Sequence, residues 1–263
     1  MLRRLPPLRR PDLAEPTRPF PILDRAFDAV ERALAKLGVE DPASLRSPRP
    51  VEDALSQTAL PAGTLLILSP AELRAAEVDI EETVKDERSG GAFFVSLPDE
   101  GNIDAKKRSL RELAVSTPTY CLTNHAGLPP GYSRLHGVPA SSGMRGYHIL
   151  LADTPGFRVA VVRRVLPGGG YIALWTGNER AINEIGEHVR ALANAAGHDV
   201  PSPAPSVPSL EGVGSERDVW QQAANLRAYR VVREAELREI ARQAALKGVA
   251  MRREREAKKR AVG

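Results

Sequence analysis

The sequence predicts an α/β fold: a mixed β-sheet covered by helices, with a separate long helix at the C-terminal end. Three observations carry this expectation. Short apolar runs recur between Thr64 and Thr176. The first of them alternate with stretches whose apolar residues fall at three- and four-residue steps, and the later ones are separated only by turns. From Ser215 onward a helical period continues with no proline, and with no glycine before Gly248. Strand–helix alternation implies crossover connections and strand–turn–strand implies hairpins, so parallel and antiparallel pairs share one sheet.

Residues 1–20 are rich in Pro and Arg and read as a basic, disordered arm. In "FPILDRAFDAVERALAKLGV", Leu23, Phe27, Val30, Leu34 and Leu37 line one helical face, and Gly38 is a natural stop. The rest of residues 21–60 reads as loop. An α/β domain then spans 61–196. It opens on the strand "TLLILS" and a helix begun by Ser69, Pro70 and Glu72, a capping-box pattern, and closed by Gly90-Gly91. "AFFVSLP" reads as a second strand. "IDAKKRSLRELA" reads as a helix exposing Lys106, Lys107 and Arg111, followed by the strand "TYCLTN" and a weaker one in "SRLHGVP". "GYHILLAD", "FRVAVVRRV" and "YIALWTG" complete the strands, and a helix capped by Asn178 follows. Residues 197–214, Pro/Ser-rich, form a linker, and 215–263 a long basic helix. About 35 residues of helix would reach roughly 50 Å, too long to hide on a small domain.

"DTPG", Asp153 to Gly156, has the Asp-x-x-Gly form of a GTPase switch. Such a site also needs a glycine-rich loop with Lys and Ser/Thr to neutralise phosphate, and neither "GKS" nor "GKT" occurs. Pro followed by Gly is instead what a tight turn requires, with Asp153 bonding nearby backbone amides. "PGGGY" at Pro167 likewise lies between two strands and reads as a hairpin turn.

Charged residues make up 27% of the chain and apolar residues 42%, enough for a packed core. No apolar run is long enough for a membrane-spanning helix. The single Cys121 excludes an internal disulfide and reads as a buried apolar residue. With no secretory signal pattern at the start, a cytoplasmic location is expected. Histidines 125, 136, 148, 188 and 198 lack metal-ligand spacing, so no metal site is expected, and no pattern names a cofactor. Three residues are candidates for binding a ligand: Glu81, a carboxylate near the domain's inner face; His148, polar in an apolar strand; and Trp175, at an inward strand position.

Charge is unevenly placed. Residues 1–10 carry +4 and residues 227–263 carry +7, so the net +4 leaves −7 on the body between them. Basic ends seek polyanions, and Arg252, Arg253, Arg255, Lys258, Lys259 and Arg260 within 247–260 are the candidates for nucleic-acid contact. Cations near a helix C-terminus also suit the helix dipole.

The stretch from about Leu65 to Leu192 resembles the DICT sensory domain family. "LSPAELRAAEVDIEE", with Ile80-Glu81, is similar to that family's early helix. "KKRSLRELA" then "TYCLTN" resembles its basic helix leading into a strand. "GYHILLADTPGFRVAVVRRV" and "YIALWTGNERAINEIGEHV" resemble its Asp-x-x-Gly-Phe turn between strands and its closing strand and helix. The chain departs from the family in having Phe93-Phe94 with no following Gln. The resemblance implies signal sensing and no catalytic residues. The expected function is therefore a non-enzymatic signalling module that binds a ligand or partner. It would dimerise, or engage another protein, through residues 215–251. The alternative is a nucleic-acid-binding regulatory protein using both basic ends.

Overall fold

A computed structural model describes residues 18–202, apart from 46, 57–58, 88–89, 98–99, 125–127, 129–130, 145, 156 and 167–169, together with Arg242. The basic arm up to residue 17, the linker from 203, and the long C-terminal helix expected over 215–263 lie outside the described residues, Arg242 excepted.

Seven strands form one mixed sheet. In chain order they are β1 (Thr64–Ile67), β2 (Ala92–Ser96), β3 (Thr119–Leu122), β4 (Leu135–Val138), β5 (Tyr147–Thr154), β6 (Phe157–Val165) and β7 (Tyr171–Thr176). Their spatial order is β1-β7-β6-β5-β2-β3-β4. β2, β3 and β4 run parallel, and every other neighbour is antiparallel. The crossover half and the hairpin half therefore meet where β2 lies beside β5.

The β5–β6 hairpin is the longest pairing, from Tyr147↔Arg164 to Thr154↔Phe157. Only Pro155 and position 156 separate the strands, so "DTPG" closes a hairpin. Alternation then divides the side chains between two faces. Ile149, Leu151, Ala160 and Val162 join one core, and Leu150, Ala152, Val159 and Val161 join the other.

Helices cover both faces. α1 (Pro21–Lys36) and α5 (Glu179–Ala195) pack on the first through Leu23, Phe27, Val30, Ile182, Ile185 and Val189. α3 (Pro70–Glu87) and α4 (Glu100–Ser116) cover the second through Leu73, Ile80, Val84, Ile103, Leu110 and Leu113. These residues recur at helical spacing, which is why each segment folds as an amphipathic helix. Asn178 caps α5 by accepting from the Ala181 amide at 3.1 Å. α1 has no cap of its own; Glu184 on α5 accepts from the Ile22 amide at 3.1 Å. Residues 40–61, expected as loop, contain a short 3-10 turn (Pro42–Ser44) and a six-residue helix, α2 (Arg49–Ala54). Pro50 at its start and a single buried residue, Val51, leave no period to read.

Asp153 does more than the turn reading expects. It is 1% exposed, and one carboxylate oxygen accepts from Arg158 Nε at 2.7 Å while the other pairs with Arg190 of α5. Gly186 leaves room for the guanidinium where it lies: a Cβ there would sit 2.6 Å from Arg190 Nη1. Replacing Asp153 by Ala removes the carboxylate shared by two arginines and leaves Arg158 only Glu179, at 4.0 Å. Asp153→Ala is expected to lower the unfolding free energy by about 3 kcal/mol, read from urea denaturation, with Asp153→Asn recovering part of the loss.

Candidate functional site

A mismatch in strand length creates the cleft. β2 pairs with β5 only from Ala92↔Asp153 to Val95↔Leu150. The β5–β6 ribbon runs on past the end of β2, and Ser96 Oγ closes the pairing by accepting from the Ile149 amide at 3.0 Å. The overhang leaves a notch of about 110 Å³ under α3 and α4. Val95, Leu97, Leu150 and Val161 give it an apolar lining. Four polar side chains converge on it from four elements: Glu77 from α3, Lys106 from α4, His148 from β5 and Arg163 from β6. His148 and Arg163 are direct cross-strand partners, so their Cβ atoms are about 5 Å apart.

The roof is an ionic latch between α3 and α4. Lys106 Nζ lies 2.5 Å from Glu81 Oε1 and 3.2 Å from Glu77 Oε2. Ser109 Oγ donates to the second Glu81 oxygen at 2.5 Å. Burial disfavours the Lys106 ammonium, but Glu77 and Glu81 outweigh it and hold its pKa above the ordinary lysine value. Lys106 is thus folded onto α3, where the sequence expects an exposed side chain. The Arg163 guanidinium lies 5.1 Å from the Tyr171 ring centroid. Burial and then the Glu77 charge raise the Tyr171 pKa, against a lowering by Arg163.

Of the three ligand candidates, the structure places His148 in the cleft wall. Glu81 stands behind the wall, with both oxygens engaged by Lys106 and Ser109, while its neighbour Glu82 is solvated and pairs with Lys85. Trp175 is 2% exposed, packed into the α3/α4-side core, and does not line the cleft. Glu77, Lys106 and Arg163 are the residues that sequence reasoning misses. One signal was present for Arg163: it shares strand parity with Val159 and Val161, so it points to a buried face. Arg252, Arg253, Arg255, Lys258, Lys259 and Arg260 lie outside the described residues.

Other chemistry-bearing groups serve the core. Cys121 is buried, and burial pushes its thiol up to about 12, which keeps it protonated and unreactive. His136 and His198 lie 4.9 Å apart beside Tyr120, and burial, then His198, lowers the His136 pKa. Among the described residues, no group of three or more His, Cys, Asp or Glu is placed to hold a metal. No described helix is long and apolar enough to cross a membrane.

No protein-family model matches this sequence, and no curated protein matches it. Among solved structures the chain is similar to TrmBL2, an archaeal chromatin protein whose structure shows a novel mode of DNA binding. The identity is 8% and the TM-score 0.37, over 66% of this chain and 64% of that one. The match thus spans less than two thirds of that chain.

The latch carries a pH signature. The folded-state pKa of Lys106 stands above its ordinary value near 10.5. Its stabilising effect is therefore complete below that value and is lost as pH rises through the folded-state pKa. Lys106→Met is expected to cost about 2 kcal/mol at pH 7, by leaving Glu77 and Glu81 without their cation. In urea unfolding, the gap between the two proteins should narrow above pH 10.5.

Proposed function

We propose that the chain is a non-enzymatic signalling module. Its α/β body binds a small ligand in the cleft at the end of β2, and residues 215–251 pass the result on by pairing with a second copy or a partner protein. This is the role implied by the resemblance of residues 65–192 to the DICT sensory family. One observation carries the reading: polar side chains from α3, α4, β5 and β6 converge over an apolar floor, the usual make-up of a small-molecule site. Signalling then follows if the ligand favours one of two packings of the C-terminal segment over the other.

A second reading rests on the charge layout. The +4 of residues 1–10 and the +7 of residues 227–263 flank an acidic body. This arrangement suits a polyanion held at the ends and repelled from the middle. In that case Arg252, Arg253, Arg255, Lys258, Lys259 and Arg260 bind nucleic-acid phosphates.

Two measurements separate these readings. Sedimentation of the full chain over a concentration series should show self-association that is lost when the chain is ended at residue 214; a monomer in both forms removes the homodimer version. Native mass spectrometry of protein purified from its own cells should retain a small molecule. If it instead retains nucleic acid, and that retention falls steeply with salt and disappears on deleting residues 247–263, the second reading holds.

A further inference from the structure

The cleft contains one charge that no carboxylate among the described residues neutralises. Three clusters of interior charge elsewhere in the body are closed by counter-charges. Asp153 is held by Arg158 and Arg190, and Arg164 by Asp24, Asp28 and Glu31. Lys106 is held by Glu77 and Glu81. Arg163 has no carboxylate partner among the described residues, although it is half-buried in mid-sheet. Its strand neighbours are His148 on one side and the small Ala173 on the other, so space remains beside the guanidinium. Tyr171 orients the guanidinium face without cancelling its charge.

We infer that this cleft binds a small oxyanion, a carboxylate or phosphate group, through the Arg163 fork, with Lys106 as the second cation and Glu77 as the group that limits affinity. The inference rests on the reading of the cleft as a ligand site, and it adds the chemical class. A guanidinium matches planar and tetrahedral oxyanions with two parallel N–H donors. The apolar lining lowers the local dielectric and strengthens that pairing.

Size narrows the class further. The volume is about 110 Å³. Inorganic phosphate and short carboxylic acids are small enough to enter it.

Glu77 differs from Glu81 in a way that matters here. Glu81 has a 9% exposed side chain and is held by Ser109 as well as Lys106, so it stays in place. Glu77 is 30% exposed and sits at the longer distance of 3.2 Å from Lys106. An incoming anion competes with Glu77 for the ammonium and is repelled by its charge. Removing that charge therefore favours the ligand, whereas removing Arg163 disfavours it.

The test uses the full chain labelled with ¹⁵N. Sodium acetate and inorganic phosphate are titrated separately, with sodium chloride at matched ionic strength as control. The amides of residues 95–97, 148–150 and 163 are followed. We expect saturable shifts confined to these amides with acetate, phosphate or both, and none with chloride; the tighter of the two anions names the source. Arg163→Gln should weaken binding at least about tenfold, and Arg163→Lys by less. Glu77→Gln should tighten it about three- to tenfold. The opposite signs separate a binding role from general damage to the fold. Shifts that survive Arg163→Gln unchanged, or weakening by Glu77→Gln, overturn the inference. If neither anion saturates but neutral or cationic fragments shift the same amides, the oxyanion class fails and the ligand site stands. If nothing shifts them, both fail.

Discussion

The register of the β5–β6 hairpin is the constraint on which the rest of this structure depends. Both faces of the sheet are covered, so each residue of the ribbon is committed to one of two cores. A slip of one residue would send every side chain to the opposite face. Register is set where only Pro155 and position 156 join Thr154 to Phe157. Gly91 reinforces it from the next strand: with φ at +105° and room for no Cβ, it lies directly against the Asp153 carbonyl. The motif that looks like phosphate chemistry thus acts as a register lock.

That lock decides where charge enters the interior. Asp153 and Arg164 share one parity, and His148 and Arg163 the other. On the first side, Asp153 grips Arg190 of α5. Arg164 reaches α1, where Nη2 lies 2.9 Å from Asp28 and the guanidinium sits 5.0 Å over the Phe27 ring. Tyr147 joins this clamp by donating to Asp24; burial, then that bond, pushes its pKa up to about 12. Hydrophobic burial supplies most of the driving force for docking these helices and is indifferent to small rotations. The ion pairs are directional, so they select one docking among many at little net gain in stability. The other face has its own latch, Lys106 with Glu77 and Glu81. Arg163 alone of the ribbon's inward charges has no such closing partner among the described residues.

What the sequence makes legible is local. The runs Tyr147–Thr154 and Phe157–Val165 are long and largely apolar, and α1 and α5 each bury one clean stripe, so element type follows from pattern alone. The mixed sheet follows from connection length. The site is less legible because its contacts join distant positions. Lys106 meets carboxylates 25 and 29 residues away, and Asp153 meets an arginine 37 residues away. A helical wheel marks Lys106 as polar and therefore exposed, because it does not show the neighbouring helix. The inward position of Glu81 is legible, but an inward carboxylate needs a partner, and its partners Lys106 and Ser109 lie on another helix. Trp175 follows the alternation into the core and stops there.

The cleft and the chain's exit lie on opposite sides of the sheet, which limits how one informs the other. The exit is tied down at several points. Val200 is buried with α1 and α5, Tyr120 donates to the Asp199 carbonyl at 3.1 Å, and Arg190 Nε donates to the Pro201 carbonyl at 3.4 Å. Arg190 is also the partner of Asp153, five positions along β5 from His148. A continuous set of contacts thus runs from the cleft along β5, through Asp153 and Arg190, to Pro201. Contiguity alone transmits nothing; coupling needs an element with two arrangements that both sites weigh differently. A ligand that bound Arg163 and left the ribbon in place would leave Arg190, and with it Pro201, in place as well. A signal passed by this route from the cleft to Pro201 would therefore need β5 to shift against α5, a shift that the Asp153–Arg190 pair resists.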